Sequence, residues 1–234
     1  MCVNYRPPLP EQMDMVLGVL VDLYKDWDWP SETWKDYQAP ILRAGSGAHA
    51  GGRELCLASY GMVPRRHIPP GVKPFDTMNA RAESLGEKRS FAPAWRRSQL
   101  CAVPMTCFYE PNYESGRAER YGIGMRDDAV FFVAGLWREW READGQLGSS
   151  FTQITINADQ HPLMRRFHKP DDEKRSLVLL PPEDVDAWLH CRDPELARSF
   201  LRHAQAEAMK AWPAPRTPAP AKAAQPAPVN LSLF

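Results

Sequence analysis

Apolar positions fall at helical spacing near the start of the chain. Met13, Met15, Val16, Val19, Leu20 and Leu23 share one face of a helix over residues 11–26. Further on the pattern shortens to strand-like runs: Glu54–Tyr60, Leu100–Phe108, Ala129–Trp137, Phe151–Asn157 and Ser176–Leu180. Between them, residues 26–40 carry Trp27, Trp29, Trp34 and Tyr37 broken by Pro30, and read as an irregular packed segment. Residues 82–97 look helical in part, with Pro93 as a break. Pro181-Pro182-Glu183-Asp184 opens a short helix through Cys191. Asp193-Pro194-Glu195 supplies an N-cap, a first-position proline and a first-turn acid for a helix running to about Trp212. From Pro213 the composition collapses to Pro, Ala and Lys, the signature of a disordered tail. The order of elements predicts an α+β fold with a mixed or antiparallel core over residues 1–212 and a tail over 213–234.

Composition adds exclusions. Lys plus Arg and Asp plus Glu both number 29, so any nucleic-acid binding must come from a local patch. The glycine-rich stretch Ala44–Gly52 lacks the Lys-Ser/Thr of a phosphate-cradling loop and reads as a surface loop. The five cysteines, Cys2, Cys56, Cys101, Cys107 and Cys191, show neither a CxxC pair nor zinc-ligand spacing, so no metal or cofactor is expected. Cys101 and Cys107 sit in an apolar run as buried thiols. That usage suits a reducing cytoplasm. No leader or membrane-spanning run is visible, so no membrane partner is expected.

The chemistry concentrates at the start. The sequence opens Met1-Cys2-Val3, and a small second residue favours removal of Met1. Cys2 would then carry a free α-amine beside its thiol, a 1,2-aminothiol. Such a pair condenses with an aldehyde to an imine that the sulfur closes into a thiazolidine ring. The ordinary pKa values, about 8 for the amine and about 8.5 for the thiol, leave a useful fraction of each reactive near neutrality.

Several further stretches, taken with Cys2, resemble one family. They are Tyr60-Gly61-Met62-Val63-Pro64; Met78-Asn79-Ala80-Arg81-Ala82-Glu83; Phe91 with Trp95-Arg96-Arg97; Cys101–Pro104; Cys107-Phe108-Tyr109-Glu110; Phe132–Trp137; Thr152–Ala158; His168; and Leu177–Leu189. In this order, over roughly residues 1–190, they resemble the SOS-response-associated peptidase (SRAP) proteins, which process abasic sites in single-stranded DNA. The resemblance implies an antiparallel, barrel-like β core flanked by helices, with a positively charged channel for DNA. It implies that Cys2 traps the ring-opened aldehyde of an abasic deoxyribose as a thiazolidine DNA–protein crosslink in the DNA damage response. The reaction would be stoichiometric, with autoprocessing of Met1 and lyase chemistry beside it.

The resemblance also distributes roles. Glu110 would take a proton from the amine and deliver one to the leaving hydroxyl. His168 would assist sugar ring opening or hold a phosphate, with His161 as its competitor. Asn79 would orient the amine or sugar. Arg81, Arg96 and Arg97 would bind phosphates, with Tyr60 and Trp95 as stacking surface. Three departures thin the DNA contacts: Val3-Asn4 stand where the family has Gly-Arg, Tyr60 replaces a tryptophan, and Pro111 replaces the tryptophan after the glutamate. The last residues, Asn230-Leu231-Ser232-Leu233-Phe234, resemble the peptide by which bacterial proteins dock on the replication sliding clamp, with Leu231, Leu233 and Phe234 as anchors. Two other readings stay open: a cysteine peptidase using Cys2, and a non-catalytic adaptor joining single-stranded DNA to the clamp.

Overall fold

The computed structural model describes residues 2–17, 27–46 and 51–216. Met1, residues 18–26 of the expected first helix, residues 47–50 of the glycine-rich loop, and residues 217–234 of the expected tail, with Leu231, Leu233 and Phe234, lie outside them, whereas Pro213 of that expected tail belongs to β12. In chain order the elements are β1 (Tyr5–Arg6), α1 (Pro10–Leu17), β2 (Gln38–Ala44), β3 (Arg53–Tyr60), β4 (Asn79–Arg81), α2 (Ala92–Arg96), β5 (Leu100–Met105) and β6 (Cys107–Asn112). They continue with β7 (Glu119–Met125), β8 (Phe131–Arg141), β9 (Leu147–Asn157), β10 (Arg175–Leu177), β11 (Leu179–Leu180), α3 (Val185–His190), α4 (Pro194–Arg198) and β12 (Met209–Pro213).

Strands β9, β3, β2, β5 and β8 pair in that order, and β8 also pairs β9, which closes a five-stranded barrel. Only the β3–β9 contact in this ring is parallel. β4 joins β9 in parallel, while β10 and β11 extend β9 and β8. A second, antiparallel sheet runs β1-β6-β7-β12. Closure removes the exposed edges that an open sheet would present.

Side chains alternate between two cores. On β5, Leu100 and Ala102 join one cluster, while Cys101, Val103 and Met105 join the other. Leu42 against Ile41, and Ala134 and Leu136 against Val133, divide the same way. The first cluster receives Trp95 of α2, Trp188 and Leu189 of α3, and Ala197 of α4. The second receives Cys2, Tyr5, Phe108, Ile123 and Met209 from the N-terminal segment and the second sheet. Because both faces are covered, β5 is buried along its whole length and reads as an apolar run without alternation.

The fold is mostly β, and its helices are short. Asp193 does cap α4, accepting from the N–H groups of Glu195 and Leu196, but the helix ends at Arg198 rather than near Trp212. Sheet pairing overrides the helical spacing there: residues 209–213 form β12 against β7, and the Trp212 indole lies over Gly122 and Gly124. A Cβ at Gly122 would stand 2.6 Å from that indole. In 82–97 only a single turn at Ala82–Ser84 and α2 are helical, and Pro93 sits in the first turn of α2, where its missing N–H is harmless. The expected strand 100–108 divides at Thr106, whose N–H turns to the Arg6 carbonyl.

Candidate functional site

Strand β6 sets one half of the site. Period-two alternation puts Phe108, Glu110 and Asn112 on one face, and Phe108 enters the core beside Cys2. Glu110 is only 4% exposed. The segment 166–168 is fastened to the end of this strand. Phe167 bridges to Asn112, Asn112 Nδ2 donates to the Arg166 carbonyl at 3.1 Å, and the His168 N–H donates to the Pro111 carbonyl at 2.9 Å.

His168 then adopts a left-handed backbone, φ +68°. That conformation costs a residue with a Cβ about 1–2 kcal/mol. It aims the imidazole so that Nε2 lies 3.0 Å from Glu110 Oε2. The opposite ring nitrogen, Nδ1, accepts from the Arg175 N–H at 3.4 Å.

The N-terminal segment supplies the other half. Cys2 is 1% exposed. Its carbonyl accepts from Asn79 Nδ2 at 2.6 Å, and the Tyr60 hydroxyl lies 3.1 Å from the same oxygen. Burial keeps the Tyr60 phenol protonated and therefore a donor. Asn79 is positioned by β4, where it pairs with Gln153 of β9. Asn4 ties Cys2 to the second sheet: its carbonyl accepts from the Tyr109 N–H at 3.1 Å, and its Oδ1 accepts from Arg120 Nη2 at 2.6 Å. Burial pushes the Cys2 thiol far above its ordinary value, and the charge of Glu110 pushes it further. A protonated thiol, an amide carrier, a carboxylate and an imidazole thus converge from four separate parts of the chain.

A sequence model of the SOS response associated peptidase (SRAP) family matches residues 21–217. The chain belongs to the SRAP family. It is 32% identical over 152 residues to the abasic site processing protein YobE of Bacillus subtilis, covering 62% of this chain and 66% of that one. The abasic site processing protein YoqW of the same organism is 30% identical over 152 residues, covering 62% and 64%. The match therefore spans just under two thirds of these relatives. A crystal structure of a Bordetella bronchiseptica protein superimposes with a TM-score of 0.77 at 29% identity, over 92% of this chain and 100% of that one. A Bacteroides thetaiotaomicron structure, at 20% identity, shares the fold with a TM-score of 0.71 over 91% of each chain.

Within this SRAP fold, the expected DNA-binding residues separate. Arg81 is half-exposed on β4 and pairs with Glu173 at 2.6 Å; Glu173 also holds the buried Arg175. Tyr60 and Trp95 are not stacking surfaces. Tyr60 is fully buried between Tyr5 and Phe151, and its ring supports Cys2 from within. Trp95 is 2% exposed and fills the helix-side core, on the face of the strands opposite Cys2. Arg96 and Arg97 leave from the same helical side, where they bond the Gly86 carbonyl and Gln99, away from the convergent groups. His161 is also apart: Nδ1 accepts from the N–H groups of Leu163 and Met164, and Nε2 contacts the Ala204 carbonyl.

Two clefts flank the buried centre. One, about 650 Å³, is bordered by His168, Arg165, Arg166, Lys174, Tyr113 and Asp159 among others. The other, about 270 Å³, is lined by Val3, Asn4 and Glu110 and by Trp34, Tyr109, Arg120 and Arg216 among others. Sequence reasoning missed Asn4, Gln153, Trp34, Arg120, Arg165 and Arg216 in this setting. Only pairing register and loop paths bring them in, and neither leaves a local motif. Among the described residues no helix is long and apolar enough to cross a membrane, and no cluster of His, Cys, Asp and Glu fits a metal ion.

Proposed function

We propose that this protein captures abasic sites in single-stranded DNA by covalent attachment to Cys2. The observation that carries the reading is the convergence of Cys2, Asn79 and the Glu110–His168 pair, 3.0 Å apart, in one buried centre. Hydrolytic removal of Met1 frees the Cys2 amine. His168 shuttles a proton as the deoxyribose hemiacetal opens to its aldehyde. The amine adds to the aldehyde carbon, and Glu110 accepts a proton from nitrogen and returns one to the departing hydroxyl, releasing water and leaving an imine. The thiol then adds to the imine carbon and its proton passes to nitrogen, closing the thiazolidine. Because burial and Glu110 hold the thiol protonated, the amine acts first and the sulfur closes the ring.

Burial of the thiol weighs against a turnover cysteine peptidase. Such enzymes need a thiolate at neutral pH, whereas this thiol is held far above its ordinary value. Arg165 and Arg216, at the mouths of the two clefts, support a strand path past the centre. Sliding-clamp docking through Leu231, Leu233 and Phe234 rests on the tail sequence alone. The test is incubation with an oligonucleotide bearing an abasic site, read by intact mass. The expected product is the Met1-free protein plus DNA minus one water, stable to heat and absent for Cys2→Ala. Blocking the α-amine while sparing the thiol abolishes it. Adduct formation by Cys2→Ala, or by amine-blocked protein, overturns the mechanism.

A further inference from the structure

The smaller cleft, beside Glu110, has a wall that the chemistry above leaves unused. Trp34 faces it, and the Arg216 guanidinium lies over the Trp34 ring, 4.6 Å from its centroid. The neighbouring aromatic, Tyr109, is already covered by Arg120 at 3.4 Å, and Arg120 is neutralised by Glu32 at 2.9 Å. Arg216 differs: among the described residues it has no ion-pair partner, and it is exposed. Its position is nevertheless built. β12 pairs with β7 through Pro213, the Ala214 N–H donates to the Arg120 carbonyl at 2.9 Å, and Arg120 Nη1 donates back to the Ala214 carbonyl at 3.3 Å.

An aromatic ring covered by an uncompensated guanidinium fits a nucleotide: the base takes the ring face that Arg216 now covers, and the displaced guanidinium pairs with the phosphate. The cleft's floor, Val3-Asn4 and Glu110, adjoins the reacting centre, so a nucleotide held there is a neighbour of the captured sugar. Arg120 cannot serve as the phosphate contact, since Glu32 and Asn4 occupy it. We infer that Trp34 and Arg216 form a subsite for the nucleotide adjacent to the abasic sugar, the base lying against Trp34 and its phosphate against Arg216. This deepens the abasic-capture reading and rests on it for the position of the sugar. It assigns Trp34 the stacking role that the Tyr60 and Pro111 replacements leave open. It also makes the chain end of the fold part of the DNA surface.

The test separates the subsite from the crosslink. The probe is a fluorescent single-stranded oligonucleotide with a tetrahydrofuran abasic analogue, which has no aldehyde and forms no adduct. Anisotropy reads its affinity for the full-length protein. Trp34→Ala is expected to weaken binding about tenfold, within the range for loss of one stacked base, and Trp34→Phe to retain most of it. Arg216→Ala is expected to lower the salt dependence by about one phosphate contact. The Trp34 effect must vanish when the bases on both sides of the analogue are also removed. Unchanged affinity in both Trp34→Ala and Arg216→Ala overturns the subsite, as does a Trp34 effect that persists without neighbouring bases. Absence of adduct with true abasic DNA, while these binding effects hold, sinks the crosslinking mechanism and leaves the subsite standing.

Discussion

Glu110 Oε2 and His168 Nε2 meet 3.0 Å apart, with only 3% and 6% of their side chains open to solvent. A carboxylate and an imidazole are expensive to bury, and a pair of apolar residues would pack the same space at lower desolvation cost. The arrangement is instead assembled with care: β6 presents the glutamate, and a left-handed histidine, tied to Pro111, completes it. The placement of such a pair beside a buried thiol supports the proton transfers proposed above.

The first prediction concerns Glu110→Gln. Loss of the proton carrier is expected to slow adduct formation by at least 100-fold, within the usual range for a general acid–base group. The same change removes the negative charge that raises the Cys2 thiol. Thiolate formation then shifts to lower pH, and alkylation of Cys2 at a fixed alkaline pH becomes faster. Opposite movements of crosslinking and alkylation distinguish proton transfer from a damaged fold. A parallel loss of both readouts defeats the assignment.

His168 allows a test of backbone against side chain. Asparagine tolerates φ near +68°, whereas a β-branched residue does not. His168→Asn should hold its turn and lose only the stability that the missing partner of buried Glu110 costs, while crosslinking falls. His168→Val should lose about 1–2 kcal/mol or more of stability through the strained turn as well. Equal melting temperatures for the two variants would show that the left-handed backbone is not under strain there.

Alkaline sensitivity follows from the buried protons. Cys2, Tyr5, Tyr60 and Cys101 are all raised, chiefly by burial. Each keeps its proton in the fold while the unfolded chain releases it above about 8.5 for a thiol and about 10 for a phenol. The unfolded state binds fewer protons, so stability is whole below about pH 8 and falls as pH rises. Each ionising group removes about 1.4 kcal/mol per pH unit above its ordinary value. Urea midpoints between pH 7 and 10 should decline, and Cys2→Ala should flatten the decline by one thiol's share. A level profile would mean that these groups titrate normally.

The groups proposed to react are more legible in the sequence than the surface around them. Cys2, Asn79, Glu110 and His168 lie in compact motifs, and the fold draws them together. The strand runs beginning at Glu54, Leu100, Ala129 and Phe151 are visible because most positions of the barrel strands are buried or half-buried. Tyr60 and Trp95 were misread because an aromatic beside arginines looks the same in sequence whether it points out or in; only the parity of the strands and helices decides. β7 was hidden by Gly122 and Gly124, residues that weaken any strand signal, and β12 by the helical spacing that precedes it. Trp34 and Arg216 are far apart in sequence and meet only because β12 carries the chain back to β7.

That last connection yields the final prediction. Gly122 stands opposite Trp212 in the β7–β12 register, and an added Cβ would lie 2.6–2.9 Å from three indole atoms. Gly122→Ala therefore expels the tryptophan or bends β12, at about 1–3 kcal/mol, the usual range for overpacking. β12 is the edge strand of its sheet, so its release exposes residues 209–216 to protease before the barrel unfolds. Arg216 is displaced with it, and affinity for the tetrahydrofuran oligonucleotide should fall about as far as in Arg216→Ala. Pairing Gly122→Ala with Trp212→Leu provides room for the new methyl and should restore protease resistance and much of the DNA affinity. If Gly122→Ala leaves β12 protected and binding intact, the indole is not seated on the glycines, and the anchoring of Arg216 must come from elsewhere.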